Sequence, residues 1–305
     1  MRYGIPYKGS KNSIAQKIID ILPAADTLYD IFCGGCAVTH CAMTNNKYKH
    51  YVINDIDGKM PQFFADVVAG KYSNENRWIS REDFKNLKDI DAYVATCWSF
   101  GNNCRNYLYS RSIEPWKKAY HYAVIFDDVS EFEKFGIKVP HCSGDRLKLR
   151  KYITENQSEF KAKYEKWCAE NIARNSNLSN LESLQRLQSL ERLESLENLE
   201  IYKTSYSLEI YKTSYSNVPQ KRNGIIYCDI PYKNTDKYSV DFDYEAFYNW
   251  CEKQTLPLFI SEYDMPENRF RAIATFEKRQ LLYGQGTGKR IYEKLFVPIK
   301  QHQLL

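Results

Sequence analysis

A chain of 305 residues is long enough for one large α/β domain, or for one domain that carries an inserted second, with a sizeable core. No stretch approaches the ~18 consecutive apolar residues of a membrane helix, which argues against a spanning protein. Nine cysteines with no framework spacing follow a start, "MRYGIPYKGSKNSIAQK", that lacks the apolar run of a signal peptide. These features point to a reducing cytoplasm. A net charge of +5 and 25 tyrosines suit a protein that meets a polyanion and stacks on flat groups, although the same balance occurs in proteins that touch no nucleic acid.

The opening "YGIPYKGSKNS" reads as a loop. A helix is predicted over 13–22, with Ile14, Ile18, Ile19 and Leu22 at helical spacing, Ser13 able to cap it and Pro23 stopping it. Next, "TLYDIFCGGCAVTHCAM" predicts a short apolar strand ending in an acid, then a glycine pair and a helix of small residues. The stretch "HYVINDID" adds a second strand that also ends in acids. Strand, glycine loop, helix, strand, acid is the βαβ order of a nucleotide-type unit in a parallel sheet. A plain tight turn explains the glycine loop almost as well, and in isolation Asp55 and Asp57 read as helix caps. Cys33, Cys36 and His40 share this loop without a second pair of ligands, so no metal is expected.

From about 58 to 150 the periodicity weakens, while Trp, Tyr, Asn and Arg concentrate in "CWSFGNNCRNYLYSRSIEPWKKAYHY". This stretch reads as an inserted module, and a charged helix follows in "ENQSEFKAKYEKWCAENIAR". Leucine then recurs at every third residue from Leu178 to Leu199. On a helix of 3.6 residues per turn such a period drifts about 60° per step and makes no stripe. The nine residues "LEIYKTSYS" of Leu199–Ser207 return letter for letter at Leu208–Ser216. Both features read as expansions at the periphery, with only one copy able to form the strand and turn that lead into the next element.

That next element, "NGIIYCDIPYKNTDKY", delivers Asp229 from a buried strand into a lysine-rich loop. An acidic helix "DFDYEAFYNWCEKQ", a strand "PLFISEY" and a closing pair, "QLLYG" and "EKLFVPI", complete the α/β pattern. Asp and Pro punctuate turns everywhere, which is one reading of the Asp229 corner. The other is a clamp for a planar exocyclic amine. The Asp229 carboxylate and the Ile230 carbonyl would each accept one N–H, with the Tyr232 ring stacked on the plane.

"DIPY" resembles the Asp-Pro-Pro-Tyr signature of amino-group DNA methyltransferases. "YKGSK", "DIFCGGCAVT", "NDID" and "CDIPY", in this order, resemble the Dam-like N6-adenine DNA methyltransferases. The resemblance implies a Rossmann-like α/β methyltransferase sheet formed by 1–58 and 151–305, with an inserted, mostly helical target-recognition module over 59–150. It implies S-adenosyl-L-methionine as cofactor, contacted by Tyr7, Lys11, Asp30, Phe32, Gly34 and Asp55, with Asp229 also close. It assigns Asp229, Ile230, Pro231 and Tyr232 to an adenine flipped from double-stranded DNA. It calls for no metal and no membrane, and a partner restriction endonuclease is compatible with it. The chain departs from the pattern at Ile230, where proline is usual, at Cys36, where glycine is usual, and at "TSYS", which has Ser for Asp. The residues by themselves leave open the same clamp on cytosine N4, RNA or a protein glutamine, and a DNA-binding relic without activity.

Overall fold

In the computed structural model the described residues are 3–6, 9–143, 145–172, 188, 191–192, 196, 199, 206–232, 242–280 and 289–302. The chain divides into two compact units, Met1–Ser73 with Glu197–Leu305, and Asn74–Leu196.

The first unit is built on seven strands: β1 (Thr27–Asp30), β2 (His50–Asn54), β3 (Ser207–Tyr211), β4 (Gly224–Asp229), β5 (Leu258–Glu262), β6 (Phe270–Gln280) and β7 (Lys289–Pro298). Their spatial order is β3-β2-β1-β4-β5-β7-β6. The first five run parallel to one another, and β7 lies antiparallel between β5 and β6. This is the Rossmann-like α/β sheet expected from the sequence. Every residue of β1 and β5 is buried, as in parallel strands covered on both faces. Gly224 lets β4 lie close to β1, since a Cβ there would stand 2.3 Å from the Thr27 carbonyl oxygen.

One core gathers Tyr29, Ile226, Cys228, Ile230 and Ile260 with Phe247, Tyr248 and Cys251 of a helix at Tyr244–Cys251. Helices α1 (Ala15–Ile21), α2 (Ala37–Thr44) and α3 (Lys59–Val68) bury Ile18, Ile19, Val38, Cys41, Phe63, Phe64 and Val67. The helix start differs from the sequence reading. Ile14 takes the cap position of α1 with no side-chain hydrogen bond, because the amides of Ile14 and Ala15 close a turn on the Lys11 carbonyl. Gly58, at φ 59°, takes the cap of α3, so neither Asp55 nor Asp57 has that role.

The closing hairpin also differs. β6 begins at Phe270, ten residues before the expected "QLLYG", because pairing with β7 runs from Phe270 opposite Pro298 to Gln280 opposite Lys289. Leu281–Gly284 and the rest of the glycine-rich turn lie outside the described residues. The second copy of the nine-residue repeat supplies Leu208–Tyr211 of β3 and a 3-10 turn at Tyr215–Asn217. The first copy, apart from Leu199, Tyr206 and Ser207, and the leucine run, apart from Leu196 and Leu199, lie outside the described residues.

The second unit is mostly helical, with α4 (Arg81–Leu87), α5 (Ala92–Cys97), α6 (Glu114–Phe126), α7 (Ser130–Glu133), α8 (Arg146–Glu155) and α9 (Gln157–Asn171). Its core is aromatic. Trp116 packs on Phe132 and Tyr164, and the Tyr164 hydroxyl donates to the Ser112 carbonyl at 2.8 Å. These contacts explain why the unit spans Asn74–Leu196 and not 59–150: α9 carries Tyr164 into this core, whereas α3 buries its apolar face in the first unit. Two short helices, α10 (Tyr244–Cys251) and α11 (Ile299–His302), complete the described elements. Among the described residues no helix is long and apolar enough to cross a membrane.

Candidate active site

β1 and β4 are hydrogen-bonded neighbours, yet the chain runs outward from β1 to β2 on one side and from β4 to β5 on the other. Beyond the carboxyl ends of two such strands an open α/β sheet leaves a crevice for a ligand. Asp30 ends β1 and Asp229 ends β4, which brings two carboxylates to that edge. Asp30 is 2% exposed, and its Oδ2 accepts from the Thr39 hydroxyl at 2.6 Å. Its Oδ1 is buried with no hydrogen-bond partner among the described residues. Burial, with Asp229 and Asp55 nearby, pushes the Asp30 carboxyl up to about 7 against the pull of Thr39.

The loop after β1 carries Phe32 and Gly34, the latter at φ 46°. Cys36 caps α2 at φ 57° and so adopts the conformation of the glycine it replaces, a strain of roughly 1–2 kcal/mol for a residue with a Cβ. Asp55, just past β2, accepts from the Gly34 amide at 3.1 Å and from the Asp57 amide at 3.0 Å. Burial raises its carboxyl as well. Phe32 sits in an aromatic cluster with Tyr215, Phe242 and Phe247 at centroid distances of 5.6 to 5.8 Å. The opening segment lies directly on the loop. The Gly4 amide donates to His40 Nδ1 at 2.9 Å, the Ile5 amide donates to the Gly35 carbonyl at 2.8 Å, and a Cβ on Gly4 would come within 2.4 Å of that oxygen. Burial holds His40 at about 4, in its neutral accepting form.

At the other carboxylate the opening segment contributes Lys11. Its ammonium, 3% exposed, lies 2.5 Å from Asp229 Oδ2 and 3.4 Å from Glu293 Oε1 of β7. It also stands 4.6 Å above the Tyr232 ring, which packs against Tyr263 at 4.5 Å. Burial lowers the Lys11 ammonium, but Asp229 and Glu293 more than offset it, and the group stays protonated above its ordinary range. Burial first, and then the same two carboxylates, push the Tyr232 phenol far up, so it remains a neutral donor. Ile230 buries its side chain in the core, and the Pro231 carbonyl accepts from the Tyr244 hydroxyl of α10 at 2.8 Å.

Asp30, Phe32, Gly34 and Asp55 thus gather at the glycine loop, and Lys11, Asp229 and Tyr232 gather at the end of β4. Tyr7 lies outside the described residues. Sequence reasoning missed Glu293, Tyr263, Tyr244 and Thr39. For Glu293 a signal existed. In "IYEKLFV" it alternates with the apolar Leu295 and Val297 on one face of the strand, where a lone buried acid needs a partner. Among the described residues no group of three or more His, Cys, Asp or Glu side chains could hold a metal ion. Burial raises the thiols of Cys33 and Cys36 further, toward the protonated form.

Comparison with curated proteins gives no match. Residues 7–264 match the family described as D12 class N6 adenine-specific DNA methyltransferase, a span that takes in the glycine loop, the whole second unit and the Asp229 corner. With most of the chain matched, it belongs to the D12 class of N6 adenine-specific DNA methyltransferases, enzymes that take their methyl group from S-adenosylmethionine.

Proposed function

We propose that this enzyme holds an adenine, flipped out of double-stranded DNA, on Asp229, Ile230, Pro231 and Tyr232. In the same reading Asp30, Phe32, Gly34 and Asp55 would hold S-adenosylmethionine in the adjoining crevice, and Tyr7 is a further contact that the family resemblance implies. The observation that carries this reading is the pair of acids, Asp30 and Asp229, at the ends of the neighbouring strands β1 and β4, at the switch point of the sheet. The residues fit the cofactor: the unpartnered Asp30 Oδ1 suits an ammonium group, and each Asp55 oxygen keeps a lone pair for a ribose hydroxyl. The Phe32 cluster offers apolar rings to a flat base.

When bound, the cofactor supplies a methyl group on a positively charged sulfur, which it gives up as a neutral thioether. Adenine N6 is a poor nucleophile, because its lone pair is delocalised into the ring. Two acceptors that each take one N–H, the Asp229 carboxylate and the Ile230 carbonyl, favour a tetrahedral nitrogen and localise that pair. As N6 gains its fourth bond it becomes positive, and the Asp229 carboxylate stabilises that charge where it develops. One N6 proton then passes to Asp229 Oδ, which at 21% side-chain exposure can hand it to water. Removing the base from the stack costs a few kcal/mol, repaid by these hydrogen bonds and by stacking on Tyr232. Lys11, locked on Asp229, fixes the carboxylate in place, which is where an in-line transfer gains most.

The helical second unit is the target-recognition module in this reading, and the enzyme works in the cytoplasm, where a partner restriction endonuclease would cut the unmodified site. Transfer of tritiated methyl groups to duplex DNA, followed by nucleoside analysis, tests the reaction, and 2-aminopurine at the target position tests flipping. N6-methyladenine with a rise in 2-aminopurine fluorescence is expected. Methylation without that rise would remove the flipping step.

A further inference from the structure

We infer that Glu293 is a positioning residue of this active site, sharing Lys11 with Asp229 so that Asp229 meets the adenine as a full-strength acceptor. The inference rests on the reading of Asp229 as the N6 acceptor and adds a residue that lies beyond position 264, where the family match ends.

Glu293 has no solvent exposure and shares one face of β7 with the buried Leu295 and Val297. An acid there is a cost to the fold, since apolar residues of similar volume in place of buried ion pairs are often neutral or stabilising. Its surroundings indicate what it does instead. Its Oε1 lies 3.4 Å from Lys11 Nζ, and its charge is among those that raise the Tyr232 phenol. Glu293 therefore bears on both groups that frame Asp229: the cation that pins the carboxylate and the ring that follows it by three residues.

Charge counting gives the consequence. One ammonium between two carboxylates leaves the cluster with one net negative charge, next to the place where N6 becomes positive. Without the charge on Glu293 the cluster is neutral. Lys11 then belongs wholly to Asp229, already 2.5 Å away, and a carboxylate committed to one ion pair is a weaker acceptor for an N–H. Glu293 does not touch the substrate in this scheme. It acts through Lys11.

Glu293→Gln keeps the volume and the hydrogen-bonding capacity but removes the charge, whereas Glu293→Asp keeps the charge. Single-turnover methylation is compared for the wild type, both variants and Asp229→Asn, alongside thermal melting and calorimetric titration of S-adenosylmethionine. The expected result for E293Q is a rate about 10- to 100-fold lower, with cofactor Kd and DNA KM within about threefold and Tm unchanged or raised. E293D should retain a clearly faster rate than E293Q. An E293Q rate within about threefold of wild type overturns the inference. So does an E293Q protein that fails to fold or to bind cofactor, or an E293D variant no faster than E293Q, since each assigns Glu293 to packing. The controls separate the two levels. If Asp229→Asn works at the wild-type rate, the reading of Asp229 itself fails; if it is inactive while E293Q is normal, only the role of Glu293 fails.

Discussion

Lys11 is held by two carboxylates, so the members of this cluster respond differently to truncation. Asp229→Ala leaves Lys11 with Glu293 as its partner, and the fold should survive with a small loss of Tm. Methyl transfer should fall by about 10³-fold or more, because the acceptor for N6–H is gone. Near-normal turnover in that variant would refute the mechanism. Lys11→Met is the harsher change for stability. It leaves two carboxylates, one of them fully buried, without their shared cation, a cost of about 3–5 kcal/mol that a denaturant titration would read. Asp30 makes a different prediction, through pH. Its carboxyl sits at about 7 when folded against an ordinary 3.8, so the folded state binds the proton more tightly and stability falls as pH rises between roughly 4 and 7. That displacement is worth on the order of 4 kcal/mol, fully felt above pH 7 and absent below about 4. Asp30→Asn, which keeps an acceptor for Thr39, should flatten this part of the stability profile. Identical slopes for the two proteins would show that Asp30 ionises normally in the fold.

β3 shows what an element adds to a repeat. The second copy of "LEIYKTSYS" forms the strand, but Ser207 of the first copy already belongs to it, bonded to His50 Nδ1 at 2.6 Å, and Tyr206 packs edge-on against Tyr51. Deleting Leu199–Ser207 joins Asn198 to Leu208 and loses both contacts together with the buried Leu199 side chain, while closure of the shorter connection changes little, since its entropy grows only logarithmically with length. Methyl transfer should persist, with stability lower by roughly 2–5 kcal/mol, the range for losing a buried leucine. A deletion that no longer folds would make the first copy a core element. Tyr215, by contrast, packs on Phe32, Phe247 and Trp250. Tyr215→Ala should cost toward the lower end of ~3–5 kcal/mol, as its ring is partly exposed, and should weaken cofactor binding through Phe32. Legibility followed the same divide. β1, β2, β4 and β5 could be read because strands buried on both faces are unbroken apolar runs, and the acids that end them pointed to the candidate site. β6 could not, because at the sheet edge its Arg271, Glu277 and other polar residues hide the alternation. The Lys11 pairing with Glu293 depends on β7 lying antiparallel beside β5, which no local pattern encodes. The limits of the compact units, Asn74–Leu196 beside the expected 59–150, were hidden for a related reason. The charged surfaces of α8 and α9 say that they are helices, but only the narrow face of Phe160, Tyr164 and Cys168 says which core they join.

For the molecule as a whole the informative quantity is charge. A net +5 is modest, so binding to DNA has to come from where the cations stand. In the second unit Arg105 and Arg111 are both exposed, and among the described residues neither is in an ion pair. They flank Tyr107, Leu108 and Tyr109, all buried, so the segment that carries them is anchored. The Tyr107 hydroxyl donates to the Ile79 carbonyl at 2.7 Å, which fixes that anchor from inside the unit. Guanidinium groups on an anchored segment lose little freedom when they meet phosphates, and each contact displaces condensed counterions from the duplex. The logarithm of the binding constant should therefore fall linearly with the logarithm of salt concentration, and each phosphate contact contributes about 0.9 to that slope. Arg105→Ala and Arg111→Ala should each weaken binding to duplexes of any sequence and reduce the slope by about one, and the double variant by about two. Fluorescence anisotropy across a salt series reads both quantities in one experiment. Loss of affinity confined to one DNA sequence, with the slope unchanged, would mean that the arginine reads a base edge and not the backbone. Unchanged affinity in the double variant would take DNA binding away from this face of the second unit.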